Sequence, residues 1–273
     1  MSGRRNSTVI DGSYAPRMPH SRHLVELAAP TLTRQLHPDS VLLLPVGSIE
    51  QHGPHLPVST DLLIAEQLAE AVVAERGAEL DLWLLPSLAY TKSNEHAWSP
   101  GTIWLRPQTL LAVLDDLGRS LAATGATRLA FLNGHGGNTA LLQVALRELR
   151  LAYGLRTFLL HPAVPPDAGG SSPAGELGMG VHAGTDETSI VLHLRPDLVD
   201  LSLAERNVPE HVAANRYVRF GGQVAFGWVS DDFGPSGVIG DPTAATAARG
   251  EQLWRQMLTV AGEALAEVAT FRP

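Results

Sequence analysis

The chain has 273 residues, no cysteine and a formal net charge of −8. Without cysteine there are no disulfide bonds or thiolate ligands, so any metal ion must be bound through nitrogen and oxygen. The acidic balance, with no block of lysine or arginine, argues against nucleic acid as a partner, because phosphate backbones bind clustered cations. No segment approaches the roughly 18 apolar residues of a membrane span.

The first residues are polar and lack the apolar run of a signal peptide. We expect residues 1–23 to form a flexible arm. Residues 24–273 contain no linker and no internal repeat, and we predict that they form a single domain. The cytoplasm is the expected location.

Short apolar runs alternate with amphipathic segments along the chain. An all-apolar run of this length is typical of a strand buried on both faces, as in a parallel sheet. The predicted strands are residues 41–46, 82–86, 128–132 and 156–160, and the predicted helices are residues 62–73, 107–123, 138–153 and 244–268. Strands that alternate with helices indicate βαβ units, so we predict an α/β fold with a mainly parallel central sheet.

Candidate metal ligands follow two of the predicted strands. Glu50 and His52 come after the first strand and, two residues apart, would point to the same side of an extended segment. His135 follows the third strand. Open parallel sheets place their sites beyond the carboxyl ends of the strands, so these side chains can converge. Asp61 is either a further ligand or the N-cap of the next helix. Such a nitrogen and oxygen set suits zinc, manganese or iron(II).

A second polar cluster begins at His182 and enters a predicted helix through Glu187. A carboxylate in the first turn is favoured by the helix dipole, so Glu187 is either a capping group or a functional one. In the functional alternative, His182 or Glu187 is an acid/base group or a further ligand. Residues 167–180, rich in glycine, serine and proline, precede the cluster, and we predict a mobile loop that covers the site.

Candidate substrate contacts lie in two more segments. Residues 94–102 follow the second strand and reach the same rim, where His96 and Trp98 could form a wall against the substrate. The alternative is a surface loop without a role. Gly136 and Gly137 either permit a tight turn or let a substrate or ion approach the backbone.

Taken together, four spaced motifs resemble the signature set of the creatininase (creatinine amidohydrolase) family. They are residues 47–61, 94–102, 133–138 and 182–189. The resemblance covers roughly residues 35–265. It implies a three-layer αβα sandwich, a homo-oligomer that is often a hexamer, and a site with two divalent metal ions that hydrolyses the C–N bond of a small-molecule amide.

By position, the resemblance implies one metal ion bound by Glu50, Asp61 and His135. A second ion would be bound by His52 together with Asp61, which would bridge the two. In creatininase a glutamate two residues beyond the histidine completes the second site, whereas this chain has Gly137. Either Glu187 or water fills that gap, or the second ion binds weakly.

The sequence Asn-Gly-His-Gly-Gly-Asn at residues 133–138 is similar to family members that are formamide deformylases or a peptidase of mycofactocin maturation. We therefore expect a cyclic amide, a formamide or a small peptide as substrate. A two-metal phosphoesterase could use the same ligands, but phosphate substrates favour nearby arginine or lysine, which these motifs lack. A non-catalytic protein that binds a metal or a small molecule is the other alternative.

Overall fold

The computed structural model describes residues 21–163 and 173–272. Most of the predicted arm and residues 167–172 of the predicted cover loop lie outside the described residues. The strands are β1 (Val41–Val46), β2 (Leu82–Leu84), β3 (Arg128–Asn133) and β4 (Arg156–Leu160). The helices are α1 (Ala29–Gln35), α2 (Thr60–Leu80), α3 (Pro107–Ala122), α4 (Thr139–Tyr153), α5 (Thr185–Leu194), α6 (Glu210–Ala213) and α7 (Ala247–Thr270).

The four strands form one parallel sheet in the order β2-β1-β3-β4. β1 lies in the interior, where Val41 pairs with Leu82 on one side and with Arg128 on the other. Every residue of β1 and β3 is buried. This burial explains the unbroken apolar run of β1, because helices cover both faces of a parallel sheet. The predicted α/β fold is confirmed.

Helices pack on both faces of the sheet and give the three-layer arrangement. Successive side chains of a strand point to opposite faces, so Val41 and Leu43 pack in one core and Leu42 and Leu44 in the other. The first core is completed by residues of α2, α5 and α7. The second is completed by residues of α3 and α4.

The predicted and observed elements differ mainly at their ends. The last helix was predicted from residue 244 but begins at Ala247, because Pro242–Ala244 forms a separate 3-10 turn. Thr246 then caps α7, and its side chain accepts a hydrogen bond from the backbone N–H of Arg249 at 3.2 Å. A threonine at this position satisfies one of the unpaired N–H groups of the first turn.

Residues 21–23 belong to the sheet edge, although the sequence placed them in the arm. The carbonyl of Arg22 accepts the N–H of Leu84 at 2.8 Å, and its guanidinium donates to Asp81 at 2.7 Å. β2 is an edge strand, and this pairing covers backbone groups that would otherwise remain open. Among the described helices, none has the length and apolarity needed to cross a membrane.

Candidate metal centre

The predicted ligands meet beyond the carboxyl ends of β1 and β3, where all of them are buried. Two glycines bring the start of α2 close to these strand ends. A Cβ atom on Gly47 would collide with the backbone of Leu62, and one on Gly134 would lie 2.5 Å from the carbonyl oxygen of Asp61. Only glycine permits so close an approach of helix and strand. The packing therefore carries Asp61 into the centre of the cluster.

Asp61 lies between two histidines. Its Oδ1 is 3.1 Å from Nε2 of His52, and its Oδ2 is 2.9 Å from Nδ1 of His135. The alternative role as N-cap does not hold, because α2 begins at Thr60 and its N-cap is Ser59. Asp61 instead occupies the position that a carboxylate shared by two ions would need.

With the imidazole of His52 4.0 Å away, Glu50 faces four imidazoles in all. Its Oε2 lies 3.3 Å from Nδ1 of His135 and accepts a hydrogen bond from Ser48 Oγ at 2.9 Å. Its Oε1 lies 3.4 Å from Nε2 of His96 and 3.7 Å from Nδ1 of His182. The carboxylate is thus held in one orientation while both oxygens remain turned toward nitrogen atoms.

Three of the histidines share one hydrogen-bond pattern. In each ring, the nitrogen that faces away from the cluster contacts a backbone carbonyl, which can only accept, so that nitrogen carries the proton. In the neutral ring the other nitrogen has a lone pair, and it faces the carboxylates as in metal-bound histidine. The pairs are His52 Nδ1 with the Glu50 carbonyl at 3.1 Å, His135 Nε2 with the Lys92 carbonyl at 2.9 Å, and His182 Nε2 with the Gln51 carbonyl at 2.7 Å.

The donor set fits divalent cations. Oδ2 of Asp61 is buried and lies 2.9 Å from Nδ1 of His135 without a well-aligned hydrogen bond. Burying a carboxylate oxygen without a good hydrogen bond lowers the stability of the fold unless a cation binds to that oxygen. The donor atoms within 4.8 Å of one another form the groups Glu50–Asp61–His135, His52–His182–Glu187 and Glu50–His96–His182. The first group is the one that the family resemblance implies.

The electrostatics of the cluster show how strongly its carboxylates attract positive charge. Burial lowers the pKa of His52, but the Asp61 carboxylate outweighs burial and raises the pKa to about 10. Burial also lowers the pKa of His135, but Glu50 and Asp61 hold it well above its usual range. Protons on these imidazoles and a divalent cation are alternative partners for the same carboxylates. Metal binding must therefore weaken as the pH falls.

The sequence left Glu187 as either a capping group or a functional group, and the structure shows contacts of both kinds. Its Oε2 accepts the backbone N–H of Ala183 at 2.6 Å, next to Gly184, the N-cap of α5. It also lies in a donor group with His52 and His182. Burial raises the pKa of Glu187 to about 7. A carboxyl group with such a pKa can exchange protons at neutral pH, so the capping contact does not preclude a chemical role.

Glu95 takes up the space that the missing glutamate at position 137 would need. A Cβ atom on Gly137 would collide with Oε1 of Glu95 and with the ring of His135. The other oxygen of Glu95 is 2.5 Å from Nζ of Lys92. Sequence reasoning missed Glu95 and Lys92. The sequence offered one indication of Glu95, its position next to His96. Its contact with Gly137 is a tertiary contact that the sequence does not reveal.

The substitution Gly137→Ala tests this packing. We expect the new methyl group to displace Glu95 and to tilt His135, so that zinc affinity falls about 10- to 100-fold, the usual effect of disturbing groups that orient a ligand. Zinc affinity would be measured by competition with a chelator, with circular dichroism to check folding. Gly136→Ala is the matched control, because a Cβ atom there meets nothing within 4 Å. Equal zinc affinities in the two variants would contradict the account.

Asn138 links the two loops that hold the histidines, and it does not cap α4 with its side chain. Its Nδ2 donates to the carbonyl of Gly47 at 3.1 Å, and its Oδ1 accepts the N–H of Lys92 at 3.1 Å. The carbonyl of the same Lys92 contacts His135. Asn138 thus helps to fix the residue whose carbonyl orients this ring.

A cavity of about 350 Å³ opens onto the cluster. Its lining includes the predicted groups Glu50, Asp61, His96, His135, His182 and Glu187, together with Gly136 and Gly137. A larger groove of about 550 Å³ near Arg22 contains none of these side chains. The smaller cavity is therefore the candidate site.

The aromatic wall of this cavity is not the predicted one. Trp98 is absent from the described lining and is 39% exposed, and its indole donates to Ser230 Oγ at 2.7 Å. Phe226 and Trp228 line the cavity instead. Phe220 packs behind both, with ring centroids 5.2 and 5.3 Å away. His96, by contrast, lies in the cavity wall as predicted.

Comparison with known proteins places this site in a family. The chain matches the family model described as Creatininase, Creatinine amidohydrolase, over residues 25–265. The mycofactocin precursor peptide peptidase of Mycolicibacterium smegmatis is 40% identical over 231 residues, which cover 83% of this chain and 85% of the relative. The same-named protein of Mycobacterium ulcerans is 38% identical over 91% of this chain and 92% of its own length. Creatinine amidohydrolase of Pseudomonas putida is 38% identical over 60% of this chain and 67% of its own length.

Solved structures agree with this assignment. A crystal structure of creatinine amidohydrolase superposes with a TM-score of 0.71 at 27% identity, covering 93% of this chain and all of that one. A manganese form of creatininase has a TM-score of 0.70 at 28% identity, with the same coverage. The chain belongs to the creatininase (creatinine amidohydrolase) family and is a metal-dependent hydrolase of amide C–N bonds.

Proposed function

We propose that this chain hydrolyses a peptide bond of a short peptide at a site with two divalent ions. The relatives named as peptide peptidases align with 83–91% of the chain, whereas the one named creatinine amidohydrolase aligns with 60%. The segment before His182 also lacks the tryptophan that covers the substrate in creatininase. Both observations favour a peptide over creatinine.

The observation that carries the proposal is the shared proton arrangement of His52, His135 and His182, each tied to a backbone carbonyl and open toward carboxylates. In our assignment one ion would be held by Glu50, Asp61 and His135. The other would be held by His52 and Asp61, and Glu187 would supply the carboxylate that a glutamate at position 137 provides in creatininase. Divalent ions bound there would lower the pKa of water and polarise the carbonyl of the substrate.

The remaining chemistry belongs to side chains of this chain. Nδ1 of His182 is the proton carrier, because Nε2 is committed to the carbonyl of Gln51 at 2.7 Å. This atom accepts a proton from the attacking water and passes it to the departing amine nitrogen, a transfer worth about 10²–10⁴-fold. Trp228 and Phe226 exclude water from one side of the cavity, and the backbone at Gly136, where a Cβ atom would meet nothing within 4 Å, leaves room for an extended peptide.

Removal of the metal tests the ion requirement. Treatment with a chelator is expected to abolish hydrolysis, and zinc or manganese to restore it, because water at neutral pH is otherwise a poor nucleophile. The assay would use a library of short peptides that vary on both sides of the bond, beside creatinine, N-formylated amines and p-nitrophenyl phosphate. Full activity of metal-free protein would end the ion proposal. A preference for creatinine would overturn the peptide assignment.

A phosphoesterase is the second candidate, because Lys92 lies in the cavity wall where the sequence motifs indicated no cation. The ammonium group is already paired with Glu95 at 2.5 Å. Four carboxylates line the same cavity, namely those of Glu50, Asp61, Glu95 and Glu187. Because phosphate groups favour unpaired cations, this balance supports the amide. Hydrolysis of p-nitrophenyl phosphate in the same assay decides between them.

Three finer expectations accompany the proposal. Zinc or manganese is the expected metal, in keeping with solved relatives described as zinc–zinc and manganese forms, and iron(II) would also suit the donors. We expect a homo-oligomer, which exposed apolar side chains would help to form: Tyr90, Trp98, Ile103 and Trp104. The cytoplasmic location stays a prediction, as do the flexible arm and the single domain.

A further inference from the structure

We propose that Gln51 fixes His96 as a hydrogen-bond donor, and that Nε2–H of His96 binds the carbonyl oxygen of the amide under attack. Gln51 lies between two proposed ligands, and the proposed mechanism uses its backbone carbonyl but not its side chain. The inference rests on the proposed function for its substrate, but the proton position in His96 can be measured separately.

The orientation of the Gln51 side chain is set by two independent contacts. Its Oε1 accepts the backbone N–H of Gly53 at 2.8 Å, which identifies the oxygen. Its Nε2 lies 3.5 Å from Oγ of Ser230. That hydroxyl donates its own proton to the carbonyl of Glu95 at 3.2 Å, so it must accept from Gln51. Both contacts require the amide nitrogen of Gln51 to point toward His96.

The amide nitrogen then determines the tautomer of His96. Nε2 of Gln51 is 3.0 Å from Nδ1 of His96. An amide NH₂ can only donate, so Nδ1 of the imidazole accepts and the ring proton resides on Nε2. A neighbour that binds one ring nitrogen fixes the role of the other in this way.

This tautomer excludes His96 from ion binding. A ring nitrogen of His96 lies within 4.8 Å of donor atoms of Glu50 and His182, but Nε2 has no lone pair to offer and Nδ1 is occupied by Gln51. His96 therefore differs from the three histidines whose outer nitrogen donates to a carbonyl. It lies in the same cluster and has the opposite role.

The donor of His96 is available to a substrate. Nε2 lies 3.4 Å from Oε1 of Glu50 but forms no hydrogen bond with that oxygen or with any other atom of the described residues. His96 itself lines the cavity. A fixed donor beside the attacked carbonyl stabilises the negative charge that develops on its oxygen, and loss of one such donor typically lowers kcat 10²–10³-fold.

The test compares the zinc-loaded wild type with Gln51→Glu, His96→Met and His96→Gln. Glutamate at position 51 retains the acceptor for Gly53 but now accepts from His96, which moves the ring proton to Nδ1. We expect kcat to fall about 100-fold in Gln51→Glu and His96→Met, with little change in KM or zinc content. His96→Gln keeps an N–H donor and should recover much of the rate. Gln143→Glu adds the same charge at an exposed site of α4 and serves as control.

A ¹H–¹⁵N NMR spectrum of the ring nitrogens gives a readout independent of turnover. The wild type should carry the His96 proton on Nε2 and Gln51→Glu should carry it on Nδ1. A wild-type proton on Nδ1, or undiminished kcat in His96→Met, would overturn the inference. A wild type that cleaves no peptide would refute the proposed function, while the spectrum would still report on the tautomer.

Discussion

Asp61→Ala is expected to abolish peptide hydrolysis and to strip both metal ions from the protein. The side chain contacts His52 and His135 through different oxygens, so its loss removes the group shared by the two proposed sites. The bound ions would stabilise the transition state by several kcal/mol, so their loss corresponds to a fall of at least about 10³-fold in kcat/KM. Metal content per chain would be measured by elemental analysis beside the kinetics. Asp116→Asn, at an exposed position of α3, is the control.

The pH dependence of the stability of the metal-free protein provides a second test of the position of Asp61. Its carboxylate raises the pKa of His52 from 6.5 to about 10, so this stabilisation is complete below pH 6.5 and is lost as the pH rises through about 10. The pKa of Asp61 is lowered from 3.8, so its own contribution requires a pH above that value. The free energy of unfolding should therefore differ most between wild type and Asp61→Ala at pH 4–6.5. A pH-independent difference, or full activity in the variant, would rule out the shared position.

Glu187→Gln is expected to lower kcat by about 10²–10⁴-fold with little loss of melting temperature. The variant keeps an amide oxygen that can accept the N–H of Ala183, as glutamine does in capping boxes, but it has no charge to bind an ion or carry a proton. The measurements are steady-state kinetics, metal content and thermal unfolding. Asp186→Asn is the matched control, because Asp186 occupies the same turn and pairs with Arg249. A variant that melts early but keeps its rate would show that Glu187 is only a cap.

The pH dependence of stability gives a further test of whether the Glu187 carboxyl group has a raised pKa. Burial raises its pKa from 4.5 to about 7, so the metal-free wild type is stabilised by the neutral acid below pH 4.5 and loses this contribution as the pH rises through about 7. Glutamine never ionises. We expect the metal-free variant to be more stable than wild type at pH 8 and to lose that advantage at pH 5.

The proposed ion-binding groups could be predicted from the sequence because each follows from a local rule. Glu50 and His52 come directly after an unmistakable buried strand, and His135 comes after another, so the geometry of parallel sheets brings them together. Asp61 was ambiguous for a physical reason. Whether an acid caps a helix or faces a site depends on where the first turn begins, and here that start is set by close packing against Gly47 and Gly134.

The remaining parts of the site depend on contacts between loops that no periodic pattern encodes. Glu95 and Gly137 meet because the loops that follow β2 and β3 contact each other beyond the carboxyl ends of the strands. Lys92 enters the cavity wall through the same overlap. Trp98 and Trp228 are both tryptophans in polar loops, and the sequence favoured the wrong one for the lining. Only the packing of the long segment between α6 and α7 decides which indole faces the cavity.

That segment has an evolutionary consequence. The indole and phenyl rings at Trp228 and Phe226 come from a stretch of chain that supplies none of the proposed ion ligands, which originate at strand ends and in α2 and α5. Exchanging residues 220–229 between homologues would therefore alter which molecules are admitted, while Ser230, which orients Gln51, stays in place with the hydrolytic groups. Laboratory selection for new amides can concentrate its diversity on those ten positions.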